Sequence, residues 1–158
     1  MAKIDWIRLS GCVLICFLAG FIGSLYTTSS IPTWYASLTK PSYTPPNWLF
    51  GPVWTILYIM MGVSLYLVWQ TDPKITWTKS ALALFAAQLI LNTSWSIVFF
   101  GLREIKWALA VIVALWILIA ATIVSFKRHS QTAARLLAPY LAWVTYACAL
   151  NYGILRLN

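Results

Sequence analysis

The sequence predicts an all-α protein, an integral membrane bundle of five transmembrane helices forming a single domain over residues 1–158. Three observations predict it. The chain is 61% apolar and only 9% charged, far below what a soluble surface requires. Five long apolar stretches carry no charged side chain, and the lysines and arginines lie at their ends or between them. The stretches are also too long and continuous for the short alternating strands of a membrane barrel.

An apolar segment of about 20 residues rises about 30 Å as a helix, enough to cross the hydrocarbon layer. The five helices are expected at about 9–28, 47–70, 80–102, 107–126 and 136–155. Lys3 and Arg8 ahead of the first also fit a secretory leader, but the segment is read as a helix of the bundle. It carries Ala19, Gly20, Gly23 and Ser24, which allow close backbone approach. In the second, Trp54, Tyr58 and Leu65 share a face. In the third, Gln88, Asn92, Trp95 and Phe99 form one stripe. An amide facing lipid is costly, so Gln88 and Asn92 are expected to look inward, bonding a ligand or one another. Ala83 and Ala87 on another face make a candidate homodimer seam. Apart from Trp116 the fourth is mostly aliphatic, a lipid-facing wall. In the fifth, Tyr140, Trp143, Ala147, Leu150 and Asn151 form a second polar-aromatic stripe.

The connections carry further information. Four residues, 103–106, join the third and fourth segments, which must form an antiparallel hairpin. The loop 29–46 is long, holds Pro32, Pro41, Pro45 and Pro46 with Trp34, Tyr35 and Tyr43, and is read as a lid over one end. Pro52 and Pro139 each precede a tryptophan, Trp54 and Trp143. Kinks at both would splay the second, third and fifth helices and leave a cavity, unless the tryptophans fill it. On one side of the membrane stand Lys3, Arg8, Lys74, Lys79, Lys127, Arg128 and Arg135; on the other, Lys40, Arg103, Lys106 and Arg156. This bias places the N-terminus in the cytoplasm.

Several functions are disfavoured by composition. The net charge of +8 is scattered along membrane-edge loops, unlike a nucleic-acid-binding patch. No Asp, Glu, Lys, Arg or His lies inside the spans, which removes the usual proton relays and acid–base catalysts. Cys12, Cys16 and Cys148 lack the further ligands of a metal site, and His129 is read as a surface residue. No metal or cofactor is expected. Ten tryptophans remain: Trp6, Trp69, Trp77 and Trp107 suit the headgroup level, whereas Trp54, Trp95 and Trp143 lie deeper.

The runs Trp34-Tyr35, Lys40-Pro41-Ser42, Thr44-Pro45-Pro46-x-Trp48 and Pro52-x-Trp54-x-x-x-Tyr58 closely resemble the tryptophan-rich sensory protein family, called translocator protein or peripheral-type benzodiazepine receptor in animals. Gln88-Leu89-x-Leu91-Asn92-x-x-Trp95, Phe99-Phe100-Gly101, Pro139-Tyr140-Leu141-x-Trp143 and Leu150-Asn151 match as well. The resemblance implies a five-helix bundle, often a homodimer, that binds porphyrins such as protoporphyrin IX, isoquinoline carboxamide and benzodiazepine drugs and, in animals, cholesterol. The positions it implies for the ligand are Ser24, Trp54, Gln88, Asn92, Trp95, Trp107, Trp143, Ala147 and Leu150, and Trp34 and Tyr58 are further ligand candidates beside them. Trp54 and Trp143 match the tryptophans linked in some bacterial members to light-dependent porphyrin breakdown, and Leu150, Tyr152 and Arg156 match the sterol motif.

Two departures stand out. Tyr43 replaces a tryptophan found in many members, and Gly153 replaces an aromatic. The second counts against sterol affinity. The absence of a basic C-terminal tail favours a bacterial cell membrane. The expected function is thus porphyrin binding for sensing, sequestration or transport. A light-dependent porphyrin-degrading enzyme and a sterol or lipid carrier are the alternatives.

Overall fold

The computed structural model describes residues 4–70 and 76–158, and the side chains of Thr76 and Trp77 are outside that description. Lys3 and Lys74, two of the seven charges on the N-terminal side, also lie outside the described residues. The chain runs as α1 (Trp6–Ser30), α2 (Trp34–Ser37), α3 (Phe50–Trp69), α4 (Thr76–Ser96), α5 (Ile105–Lys127) and α6 (Gln131–Leu157). Five of these, α2 excepted, are long and apolar enough to cross a membrane. α1 and α6 begin ahead of the uncharged stretches, where polar residues cap their first turns. Asp5 accepts from the Arg8 amide at 3.1 Å and pairs with its guanidinium at 3.1 Å. Ser130 accepts from the Ala133 amide at 3.2 Å. Both contacts satisfy amides that a first turn leaves without partners.

Around the bundle the neighbours run α1, α3, α6, α5, α4 and back to α1. The chain alternates direction at each span, so α4 and α5 form the expected hairpin, turning tightly at Arg103 with φ at 60°. Before that turn α4 widens into a π-helical turn, Ile97–Gly101, closed by the Leu102 amide on the Ile97 carbonyl at 2.8 Å. Such turns free backbone groups locally, and here the Phe100 carbonyl accepts from the Ser30 hydroxyl at 2.8 Å.

The core divides into two clusters. The larger fills the bundle from the N-terminal side to its middle, around Met61, Phe85, Ile112, Leu115, Phe126 and Tyr140. The smaller lies at the opposite end, around Tyr35, Phe99, Phe100, Leu150 and Ile154. On α5 the buried positions Ala108, Ile112, Leu115, Ile119, Thr122 and Phe126 follow one helical face, leaving the rest of that helix outward.

The two prolines stand in different settings. Pro52 stands in the first turn of α3, where an amide has no helical partner to lose. Pro139 lies well inside α6, yet the helix runs through it without interruption. No splaying at Pro52 is needed to account for the space described below.

Candidate functional site

The inward stripes of α3, α4 and α6 meet in a hydrogen-bonded chain across the bundle. Tyr58 donates to the Asn92 carboxamide oxygen at 2.8 Å, and the Asn92 amide donates to the Tyr140 hydroxyl at 3.0 Å. One amide thus satisfies two phenols from two other helices. Trp54 lies on this layer, stacked on Tyr58 at 5.4 Å and edge-on to Tyr140 at 6.1 Å. Towards the far end, Trp95 donates to Asn151 at 3.1 Å, and Asn151 passes the link to the Ile105 carbonyl at 3.0 Å. Gln88 behaves otherwise: it is fully buried and neither its carbonyl nor its amide has a partner. Asn92 and Gln88 therefore share a face without bonding one another.

The loop 29–46 closes the end of this array. Tyr35 of α2 is buried among Phe99 and Phe100, with ring centroids at 6.2 and 5.7 Å. Lys40 folds back to donate to the carbonyls of Tyr35, Ala36 and Leu38 at 2.9–3.3 Å, stopping that short helix, and its ammonium stands 5.0 Å from the Tyr35 ring. The following residues are clamped to α6. Tyr43 donates to the Ala149 carbonyl at 3.0 Å, and Tyr146 donates to the Tyr43 carbonyl at 2.6 Å. Asn158 both accepts from the Thr39 amide at 3.0 Å and donates to its carbonyl at 2.9 Å.

Two spaces among the described residues lie beside this array. Between α3, α4 and α6, where the sequence pointed to a cavity, the tryptophans nearly fill the room: about 30 Å3 is left among Trp54, Trp95, Trp143, Ala147 and Leu150. The larger space, about 560 Å3, lies between α1, α3 and the end of α4. Its inner wall is aromatic, with Phe17, Trp54, Tyr58, Trp95 and Phe100, and its rim carries the hydroxyls of Ser24, Thr27, Thr28 and Thr55. No charged side chain lines it.

A fold of five membrane-spanning helices, a clamped aromatic loop and this tryptophan array agree with the sequence comparisons. The profile of the TspO/MBR family matches residues 12–157. The chain belongs to the TspO/MBR family. Among its relatives are a tryptophan-rich protein TspO from Chlorobaculum tepidum, 46% identical over 96% of both chains, and the human translocator protein, 42% identical over 97% of this chain and 91% of that one. A tryptophan-rich sensory protein from Cereibacter sphaeroides is 38% identical over 99% of this chain and 94% of its own. The chain is therefore an integral membrane protein of this family.

Within this TspO/MBR bundle the residues singled out from sequence fall into distinct places. Ser24, Trp54, Tyr58 and Trp95 border the larger space. Trp143, Ala147 and Leu150 border only the smaller one, and Trp54 and Trp95 border both. Asn92 holds the wall from behind through Tyr58, and Gln88 lies deeper in the bundle. Trp34 packs edge-on to Phe99 at 5.5 Å, behind the lining. Trp107 is 66% exposed on the outer face of α5 and lines neither space. Leu150 is buried, whereas Tyr152 and Arg156 are exposed, so the three do not converge on one surface. Sequence reasoning passed over Phe17, Gly20, Phe21, Tyr35, Gly51, Thr55 and Ser96 as lining residues. Their signal was available only in part: Tyr35 sat in the aromatic loop, but the α1–α3 gap has no mark in either helix alone.

Proposed function

We propose that this chain binds a flat, largely apolar ligand of the porphyrin class, protoporphyrin IX being the reference compound, and accepts isoquinoline carboxamide or benzodiazepine drugs at the same place. The observation that carries the reading is the 560 Å3 space with a five-aromatic inner wall and an uncharged rim, within the usual size of small-molecule sites. Aromatic faces favour a planar macrocycle, each contact adding about 0.5–1.5 kcal/mol beyond area burial. Sensing, sequestration and transport all begin with such binding. The homodimer belongs to this proposal as its setting.

One observation favours a second reading, light-dependent porphyrin breakdown. Trp54 is an easily oxidised indole on the wall of the space, stacked on Tyr58, and so is positioned as electron donor to a photo-excited macrocycle. Trp143 borders the smaller space and supports this role less directly. The test is incubation of the purified protein with protoporphyrin IX, dark and illuminated, with product analysis. Saturable quenching of tryptophan emission in the dark supports the binder, and loss of porphyrin only in light supports the enzyme. Absence of saturable quenching removes both.

A further inference from the structure

The structure carries an inference about how the site is reached. α1 and α3 do not lie side by side along their whole length. At Gly62 they are in backbone contact: a Cβ added there would stand 2.5 Å from the Val13 Cα. Further along, at Gly20, the gap is filled by the Tyr58 ring, 2.3 Å from an added Cβ. The same antiparallel stepping brings Thr27 and Thr28 level with Gly51, where nothing lies within 4 Å of an added Cβ. The pair is a wedge, closed at the bundle's middle and open towards the clamped loop. The 560 Å3 space occupies the open part, and Phe21, Ser24, Thr28, Trp48, Gly51 and Thr55 on its border are exposed on the outer surface of membrane-spanning helices.

From this geometry we infer that the cavity opens sideways into the bilayer between α1 and α3, and that its occupant is a flat amphiphile taken from the lipid phase. The chemistry of the mouth fits such an occupant. Ser24, Thr27, Thr28 and Thr55 donate their hydroxyls to the carbonyls of Phe21, Gly23, Ser24 and Gly51 on their own helices. Their donors are thus satisfied in lipid, and these hydroxyls present only oxygen lone pairs to the mouth. With no cation in the lining, a carboxylate or hydroxyl edge has to stay at the headgroup level, near the exposed Trp48, while the apolar plate slides onto Trp54 and Tyr58. On the opposite flank the loop is held against α6 by the clamps of Tyr43, Tyr146 and Asn158.

The inference deepens the porphyrin reading, but its first test needs no porphyrin. In vesicles of phosphatidylcholine brominated on the acyl chains, the Trp54 emission, taken as the difference between wild type and Trp54→Phe, is expected to be quenched. The same difference should be protected when Gly51→Phe fills the mouth. A Trp54 signal that brominated chains leave untouched in wild type overturns the opening. The second test follows protoporphyrin IX transferred from donor vesicles into protein-bearing vesicles by stopped flow. Gly51→Phe and Thr55→Trp, which stand at the mouth, are expected to slow association and dissociation together, by about tenfold. The loop-loosening pair Tyr43→Phe and Tyr146→Phe should leave both rates unchanged. Wild-type rates in both mouth variants, or faster entry on loosening the loop alone, overturn the lateral route. Acyl-chain quenching of Trp54 without any porphyrin response upholds the opening and discards the porphyrin.

Discussion

Tyr43 and Gly153, the two departures read from the sequence, touch one another. A Cβ on residue 153 would stand 2.6 Å from the Tyr43 hydroxyl and 2.5 Å from the Pro41 ring. The bare backbone at 153 lets the loop lie directly on α6, and the tyrosine hydroxyl uses that proximity to reach the Ala149 carbonyl. The departures are two halves of one contact.

The first prediction concerns that contact. Gly153→Phe should lift the 38–46 segment from α6, at a cost of about 1–3 kcal/mol for a side chain forced into filled space. Amide exchange should accelerate at Thr39 and Thr44, and limited proteolysis should appear in the loop. Protection equal to wild type at both amides would show that the loop is held independently of Gly153.

The second contrasts the two buried amides. Asn92→Leu leaves the Tyr58 and Tyr140 hydroxyls facing each other without their bridge, a loss of about 1–3 kcal/mol per buried group. Gln88→Leu removes two polar atoms that have no partners, and should be neutral or stabilising. Thermal unfolding in detergent separates them. Equal destabilisation by both substitutions would mean that Gln88 has a role beyond its present surroundings.

The third rests on Tyr35, whose hydroxyl is buried without a partner. Burial, with a smaller contribution from Tyr146, pushes its phenol up to about 12 from an ordinary 10. The sign follows from linkage: the docked loop holds the neutral form, so its stability is complete below pH 10 and declines from 10 to about 12 as the released phenol ionises first. Loop proteolysis should therefore rise over that window in wild type and rise less in Tyr35→Phe. The same replacement at neutral pH should leave the loop docked, since the ring packing on Phe99 and Phe100 is kept.

The fourth compares two glycines of α3. Gly62→Ala drives a methyl into the Val13 backbone, which cannot swing away as a side chain could, and should destabilise the α1–α3 contact by about 1–3 kcal/mol. Gly51→Ala meets nothing and, by raising helix propensity, should be neutral or slightly stabilising. Melting temperatures of the two variants in one detergent check both, and a Gly62→Ala protein as stable as wild type would mean that α1 is free to shift.

A fifth concerns orientation. The clamped loop and the C-terminus share the face opposite the N-terminus, and from the lysine and arginine bias we propose that the N-terminus lies inside. Reporters fused to the ends should be active in opposite compartments, the N-terminal one in the cytoplasm. Cytoplasmic activity at the C-terminus would reverse the orientation.

What the sequence determined by itself was every property that each segment carries alone. Length and apolarity marked five spans, because in lipid a backbone must satisfy its own hydrogen bonds and a helix does so within one segment. The 3.6-residue period put Asn92, Trp95, Trp143 and Asn151 on inward stripes, and the four-residue connection made α4 and α5 a hairpin. Tertiary structure alone decided where space remained. Trp54, Trp95 and Trp143 close the gap the sequence seemed to open, since three indoles from different helices meet there. Gly51, Gly20 and Gly62 make the α1–α3 wedge through distances to the other helix, and a distance between helices is written in neither sequence segment. Packing fixes it, and with it the route by which a ligand could arrive.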